Sequence, residues 1–470
     1  MKYIKIILLS ILVASMSSSC SESLDINTNP LVASTADPNV ILPYVFVQYS
    51  NRYVTELGTR MMDVPQHFTA CFNSPATGPT TIFLTGNTWG MYYTQVLGNL
   101  ALIEIDAEAA GETNNNVNAI AKIFKAKSFF ELSCIWEKIP FSEALDGATY
   151  PFPKFDDQET IFKGIISILD EAIDLIRTMP AEGNFDVSVG DLIYNGNMEL
   201  WQRYANSLKL RVFILIRNKD TSVDGDIANL INEPMIESNA QAAMVRYFDT
   251  PAESNAFNRL VEAFFGVSNE ANGVYAPGDQ LYDLLANGDP RFDLFISDLN
   301  GTGGPGLGNF AFAVGGATIK DNVIRNDIPH IMFLPSEINF YKAELALKGV
   351  TGGNAQEYFD LGLTQILEFW GRDIPGAQIV IGQDVIDNYV GSLPAVDLQA
   401  VHEQLYLESF LRPIVAWNTV RRTKIPVLEL PPGTRISTIL KRFTYPPDEA
   451  TSNINTPANL NTDVPHWFEN

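Results

Sequence analysis

Four histidines, His67, His330, His402 and His466, are scattered through 470 residues. None stands in an HExxH arrangement, which would place two imidazoles on one helix face for zinc. No CxxC pair and no GxSxG turn occur either, so neither a zinc knot nor a serine nucleophile on a strand-to-helix elbow is encoded. Gly301, Gly303 and Gly306 satisfy the letters of a dinucleotide loop, but Pro305 interrupts them and no strand precedes or helix follows, so they read as an ordinary loop. Asp220, Ser222, Asp224 and Gly225 imitate the first half of a calcium loop. Its twelfth position is Ile231 rather than a bidentate Glu, and a turn capping the next helix is the better reading. The chain holds 55 carboxylates, so finding two that could act as acid and base decides nothing. No catalytic residue, metal site or cofactor is expected.

The elements that must position any site are mostly helical. Phe333 to Trp370 reads as two helices packed back to back. Pro335 and Ser336 open the first, Ile338, Tyr341, Leu345 and Leu347 make its apolar face, and Gly349 stops it. The second carries Ala355, Phe359 and Gly362, whose small-aromatic-small spacing resembles the second helix of a tetratricopeptide repeat, where small residues let two helices approach. Similar periodicity runs over Val40 to Leu57, Trp89 to Ile105, Val117 to Trp136 and Met198 to Ile216. Asp156 and Glu159 have capping-box spacing ahead of Ile161, Phe162, Ile165, Leu169, Ala172 and Ile173, and Pro180 closes that helix. A last helix is expected from Ala400 to Arg422, bent where Pro413 falls inside it.

Composition gives the organisation. Hydrophobic residues make up 46% and charged residues 18% of the chain, a globular balance with no linker to divide it. The expected order is an export signal at 1–19, a tether at 20–36 and one domain at 37–470. Within that domain a helical scaffold spans about 37–217 and 333–422. A loop-rich elaboration with short strands fills 218–332, and an apolar, Pro-rich tail packs over the scaffold from 423. The net charge is −24, and residues 1–19 carry Lys2 and Lys5 without a carboxylate, so their removal leaves about −26. Such a surface repels phosphate backbones, which excludes nucleic acid as a partner.

Lys2 and Lys5 lead a short apolar run, Ile6 to Ala14, that ends in Ser17, Ser18, Ser19 and Cys20. It is too short to span a bilayer and has the layout of an export signal. A cysteine directly after small residues resembles the processing site of bacterial lipoproteins, in which the new amino-terminal cysteine, here Cys20, receives lipid. Cys71 and Cys134 then remain; Cys134 lies in an apolar helical stretch and reads as a buried thiol.

Three further stretches carry a family resemblance. Ile139 to Leu145 (IPFSEAL), followed by Phe155, Asp156 and Gln158, resembles a segment of the SusD/RagB nutrient-binding lipoproteins. Gly190, Asp191, Tyr194, Asn195 and Gly196 with Trp201, Ala205, Asn206, Ser207, Leu208, Lys209, Leu210 and Arg211 resemble the GDxxYxG and WxxxANSLKLR run of one branch. Trp417, Arg421, Arg422, Thr423 and Pro426, with Arg442, Tyr445, Pro446, Pro447, Glu449 and Asn453, resemble its carboxyl-terminal motifs. The order and spacing agree over the mature chain. The resemblance implies a mainly α fold of tetratricopeptide-like helix pairs in a right-handed superhelical scaffold with an irregular binding region. It also implies an outer-membrane lipoprotein that captures glycans, or in some members peptides, and serves as the lid of a SusC-like TonB-dependent transporter. Trp201, Asn206, Arg211, Trp417, Arg421, Arg422 and Tyr445 read as structural members of these motifs.

Sugar capture needs flat apolar faces for the C–H side of a ring and amides or carboxylates for its hydroxyls. Two loops offer that mixture: Pro65 to Trp89, with Phe68, Asn73 and Phe83, and Phe264 to Tyr282, with Asn269, Asn272, Tyr275 and Asp279. These seven are the expected ligand contacts. A secreted helical glycoside hydrolase is the competing reading, separated by turnover of a glycan; a scaffold lipoprotein without a ligand is the third.

Overall fold

Asn197, Asn354 and Asp397 stand in extended backbone, each with its side-chain oxygen accepting from an amide two or three residues on: Leu200 at 3.2 Å, Gln356 at 3.0 Å and Ala400 at 2.8 Å. These caps satisfy amides that a helix start leaves without partners, and they fix where three of the longer helices begin. The computed structural model describes residues 37–470 apart from 71–81, 267, 299–300, 302–315, 431–436, 459–460 and 470, and apart from the side chains of Ala70, Ile82 and Phe83.

The first half of the scaffold comprises α1 (Pro38–Arg52), α2 (Ile82–Gly90), α3 (Gly98–Ala110), α4 (Asn115–Trp136), α5 (Gln158–Arg177) and α6 (Met198–Lys219). Widened turns at Tyr53–Gly58 and Met91–Leu97 extend α1 and join α2 to α3. The helix expected from Trp89 therefore starts earlier, at Ile82. Shorter helices follow: α7 (Asp224–Leu230), α8 (Ala256–Phe265), α9 (Asn269–Asn272), α10 (Asp279–Ala286) and α11 (Phe292–Phe295). The second half of the scaffold is α12 (Pro335–Leu347), α13 (Ala355–Glu368), α14 (Gln383–Ser392), α15 (Leu398–Glu408) and α16 (Pro413–Thr423), with α17 (Pro447–Ser452) in the tail. Sequence neighbours pack on one another, α3 on α4, α4 on α5, α5 on α6, and α12 on α13, while α12 also meets α15. Pro38–Asn470 is one compact unit.

Strands are few and short. They form two-stranded antiparallel ribbons: β1 (Phe68–Ala70) with β5 (Tyr275–Pro277), β2 (Ile139–Pro140) with β3 (Phe155–Asp156), β4 (Ala243–Val245) with β8 (His330–Phe333), and β6 (Ile296–Ser297) with β7 (Thr318–Ile319). The β1–β5 and β4–β8 ribbons clamp together chain segments far apart in sequence.

Two local expectations differ from the structure. The helix expected over Ala400 to Arg422 is two helices, because Leu411 takes φ +62° and Pro413 opens α16 as its first residue. Proline lacks an amide that the first turn could not have paired, so it starts a helix here instead of bending one. Asp156 does not cap α5. Its carboxylate accepts from the Ser142 amide at 2.7 Å and the Ser142 hydroxyl at 3.1 Å, which ties the IPFSEAL segment to β3.

Charges are buried where helices cross. Glu337 on α12 accepts from Arg211 Nε at 2.6 Å and Nη2 at 2.7 Å, and from Arg412 Nη1 at 2.6 Å. Burial pushes this carboxyl up, but the two guanidinium groups outweigh it and hold it below the ordinary Glu range. Glu344, one helical face further on, takes Arg422 in a two-pronged pair at 2.5 and 2.8 Å. Arg421 instead donates to the carbonyls of Lys441 and Cys134 and lies 3.8 Å over the Trp417 ring. Trp417 Nε1 donates to Leu440 O at 3.0 Å and Tyr445 Oη to Lys138 O at 2.9 Å, so the described tail is stitched to the scaffold. Asn206 on α6 donates to Pro234 O at 2.8 Å. Burial pushes the Cys134 thiol up to about 12 against Arg421 and Asn418, which leaves it unreactive; Cys71 lies outside the described residues.

Candidate functional site

Asp191 shows how the GDxxYxG stretch works. Its buried carboxylate accepts from the amides of Ile193, Tyr194 and Gly196 at 3.0, 3.1 and 2.8 Å and from Trp201 Nε1 at 2.7 Å. One side chain thereby fixes the loop 190–196 to α6. Gly190 packs on α1 so tightly that a β-carbon there would lie 2.9 Å from Asn39 Cα. The loop is held on both sides, and Leu192, Tyr194 and Asn195 become one wall of a cavity of about 1100 Å³.

The opposite wall is the segment from Ser238 to Ser254. Tyr194 Oη donates to Gln241 O at 3.0 Å, and Asn239 Nδ2 donates to Gln365 O at 2.9 Å and Asp373 Oδ2 at 2.7 Å, tying this segment to the loop and to α13. Asn239 Oδ1 is buried with no partner among the described residues. Past β4, burial continues to alternate: Val245 in, Arg246 out, Tyr247 in, Phe248 out. Tyr247 is anchored on α1, its hydroxyl 2.7 Å from Ser50 Oγ and 3.0 Å from Asn51 Oδ1. Phe248 is 53% exposed, an unusual state for a large ring, and stands on a turn closed by Phe248 N to Glu253 O at 3.0 Å. Val47 and Asn51 of α1, Arg259 of α8, and Leu361, Gln365 and Glu368 of α13 also line it. The result is a mixed surface of amides, hydroxyls and one open aromatic face, large enough for several sugar rings.

The residues expected to touch ligand do not assemble there. Phe68 and Tyr275 have no exposed surface and Asn269 has 1%. Phe68 and Tyr275 are diagonal neighbours across the β1–β5 ribbon, with ring centroids 5.6 Å apart. Asn269 Nδ2 donates to the carbonyls of Tyr275 and Ile319 at 2.9 and 2.6 Å, and its Oδ1 accepts the Tyr275 amide at 2.8 Å. Irregular backbone here hides rings and consumes amides, since loop carbonyls need buried donors; these three are core residues and not ligand contacts. Asn272 is half-buried and donates to Ser268 O at 2.7 Å, and Asp279 is half-buried in the first turn of α10. Phe83 belongs to α2 with its side chain undescribed, and Asn73 lies outside the described residues. The sequence signal for Arg246 and Phe248 was a pair of aromatics run directly into the turn residues Asp249, Thr250 and Pro251. Burial pulls His67 down to about 3, and its Nε2 lies 3.0 Å from Tyr406 O.

A family profile described as "Starch-binding associating with outer membrane" matches residues 45–446. The chain belongs to the SusD-like family. SusD-like proteins of known structure share its fold at low identity. A SusD-like protein from Bacteroidetes is 19% identical with TM-score 0.78, covering 92% of this chain and 99% of that one. A structure titled as a chitin-binding protein is 22% identical with TM-score 0.76, over 92% and 100% of the two chains. A chitin-binding SusD homologue from Flavobacterium johnsoniae is 17% identical with TM-score 0.71, over 91% and 98%. No curated protein sequence matches. The mainly helical scaffold with few short strands is the SusD-like tetratricopeptide-type fold. Among the described residues no helix is long and apolar enough to cross a membrane.

Proposed function

We propose that this SusD-like chain is a surface lipoprotein of the outer membrane that binds nutrient oligosaccharides without chemical conversion and delivers them to a SusC-like TonB-dependent transporter. The observation that carries the reading is the cavity between the 190–196 loop and the 238–254 segment, with Phe248 standing open at its rim. A sugar ring would lay its C–H face on Phe248 and present hydroxyls to Asn51, Asn195 and Ser238, the division of labour that small-molecule pockets use. Two structures with the same fold are titled as chitin-binding, which supports glycan as the ligand class. The carboxylates along the cavity are held by neighbours: Glu368 by Arg372, Asp373 by Asn239, and Glu253 by Thr250 at 3.1 Å. That arrangement favours recognition over acid–base hydrolysis. Attachment through Cys20 is supported by the layout of the export signal, and exposure of the cavity on the cell surface belongs to the same reading.

The test is an oligosaccharide array probed with full-length chain carrying Cys20→Ala, followed by product analysis of every glycan retained. Saturable binding with the glycan recovered intact is expected. Release of new reducing ends would replace the reading with hydrolysis, and retention of no glycan would remove it.

A further inference from the structure

The chain carries a net charge of −24, yet two arginines facing its large cavity have no carboxylate partner. Arg246 is exposed at the cavity wall, and no described carboxylate lies within ion-pair distance of it. Arg259 on α8 donates Nη1 to Ser254 O at 2.8 Å and is otherwise without a described anion. The carboxylates of the lining are engaged elsewhere, Glu368 and Asp373 with Arg372 and Asn239 and Glu253 with Thr250, and none of the three forms an ion pair with either arginine. Arg211, Arg412 and Arg422 of the scaffold, by contrast, are each paired to a buried glutamate.

Position sharpens the point. Arg246 and Phe248 are two residues apart in a segment whose burial alternates, so both project from the same side of the chain, at a strand spacing of about 7 Å. A ring laid on Phe248 would bring a substituent at its edge, or one on the adjoining unit, toward the guanidinium. Arginine's planar fork matches a carboxylate or sulfate with two parallel N–H bonds, which an ammonium could not do. We infer that the cavity takes acidic oligosaccharides, with Phe248 stacking on a sugar ring and Arg246, seconded by Arg259, holding an anionic group on that sugar or its neighbour. The inference rests on the cavity being the ligand site, and it narrows the ligand to sugars bearing carboxylate or sulfate.

The experiment is titration calorimetry on the full chain carrying Cys20→Ala, with hexagalacturonate, its fully methyl-esterified form, a sulfated galactan hexasaccharide, and a poly-glutamate peptide as probes. At least one acidic hexasaccharide should bind, the neutral ester at least tenfold more weakly, and Arg246→Gln and Arg259→Gln should each lower the acidic sugar's affinity about tenfold. Affinity should also fall with added salt. Preference between the uronate and the sulfated galactan identifies the source of the anion. If the ester binds as well as the acid and both arginine variants bind normally while Phe248→Ala binds poorly, the anionic inference fails and the cavity reading stands. If Phe248→Ala and both arginine variants leave binding of every sugar unchanged, the cavity is not the site and both fail. Binding of neither acidic sugar, or of the peptide alone, overturns the inference. Thermal melts of each variant guard against misfolding, and all three side chains are exposed or half-exposed.

Discussion

Gly362 lies so close to Phe340 that a β-carbon on residue 362 would meet Phe340 Cε1 at 3.0 Å and the Ser336 carbonyl oxygen at 3.2 Å. The missing side chain is what lets α12 and α13 approach, while Phe359 fills the space beside it with ring centroids 5.8 Å from Phe340. Gly362→Leu adds volume to a filled interface and should cost about 1–3 kcal/mol by overpacking. The measurement is the urea midpoint at unchanged slope. A midpoint equal to that of the unmodified chain would show that the two helices part freely.

Glu344 sets a pH dependence. Burial pushes its carboxyl up, but Arg422, with His402 and Lys348, more than reverses this and holds it well below 4.5. A carboxyl lowered in the folded state contributes stability that is fully present above its unfolded value and is lost as pH falls through the folded one. Glu344→Gln should therefore be less stable near neutrality, and the gap in Tm to the unmodified chain should narrow on going from about pH 6 to about pH 3. Removing Arg422 instead leaves the buried carboxylate with Lys348 and His402 alone, at a cost of up to about 3–5 kcal/mol. A gap that stays constant across that pH range would show that the Glu344 charge is already compensated in the unfolded chain.

What the sequence made legible was the part governed by periodicity. Helices α4, α5, α6, α12 and α13 follow from apolar spacing, and Gly362 from its place three residues after Phe359. What it concealed was the fate of irregular chain. The 264–282 stretch offers Asn269 and Tyr275 in no regular pattern, and absence of pattern looks like exposure. In the fold, Ala70 and Tyr275 are paired across β1 and β5, two segments some 200 residues apart. No local rule anticipates such a pairing, because its stability comes from long-range closure of the ribbon and not from propensity. Phe248 escaped for the opposite reason: a ring three residues after β4 reads as core, but the in–out alternation past Val245 and the turn from Phe248 to Glu253 leave it exposed.

The proposed anchorage rests on one residue. The run Ile6 to Ala14 is followed by Cys20, and no helix among the described residues is long and apolar enough to cross a bilayer. Cys20→Ala should move the protein from the membrane fraction to the soluble fraction. A single acyl chain anchors only marginally, so mass spectrometry of the native amino terminus should find more than one. Mutant protein that still sediments with outer membranes would show that another contact holds it.

Phe248 and Tyr275 offer the sharpest contrast, because both are aromatic, both lie in the loop-rich region and the structure gives them opposite surroundings. Tyr275 has no exposed surface, packs against Phe68 and Phe257, and sets its hydroxyl 3.3 Å from Thr59 O. Tyr275→Ala should lower stability by about 3–5 kcal/mol, as loss of a core aromatic does. Sugar affinity per folded molecule should not change. Phe248 is 53% exposed on a closed turn at the cavity rim. Its truncation removes little buried area, so unfolding should shift by no more than about 0.5 kcal/mol. Binding should weaken by about 1–3 kcal/mol, the range for stacking on a flat ring. Calorimetric titration beside thermal melts of the two variants reads both quantities. The crossed result, with Tyr275→Ala stable but unable to bind and Phe248→Ala unstable but binding normally, would return ligand capture to the 264–282 loop.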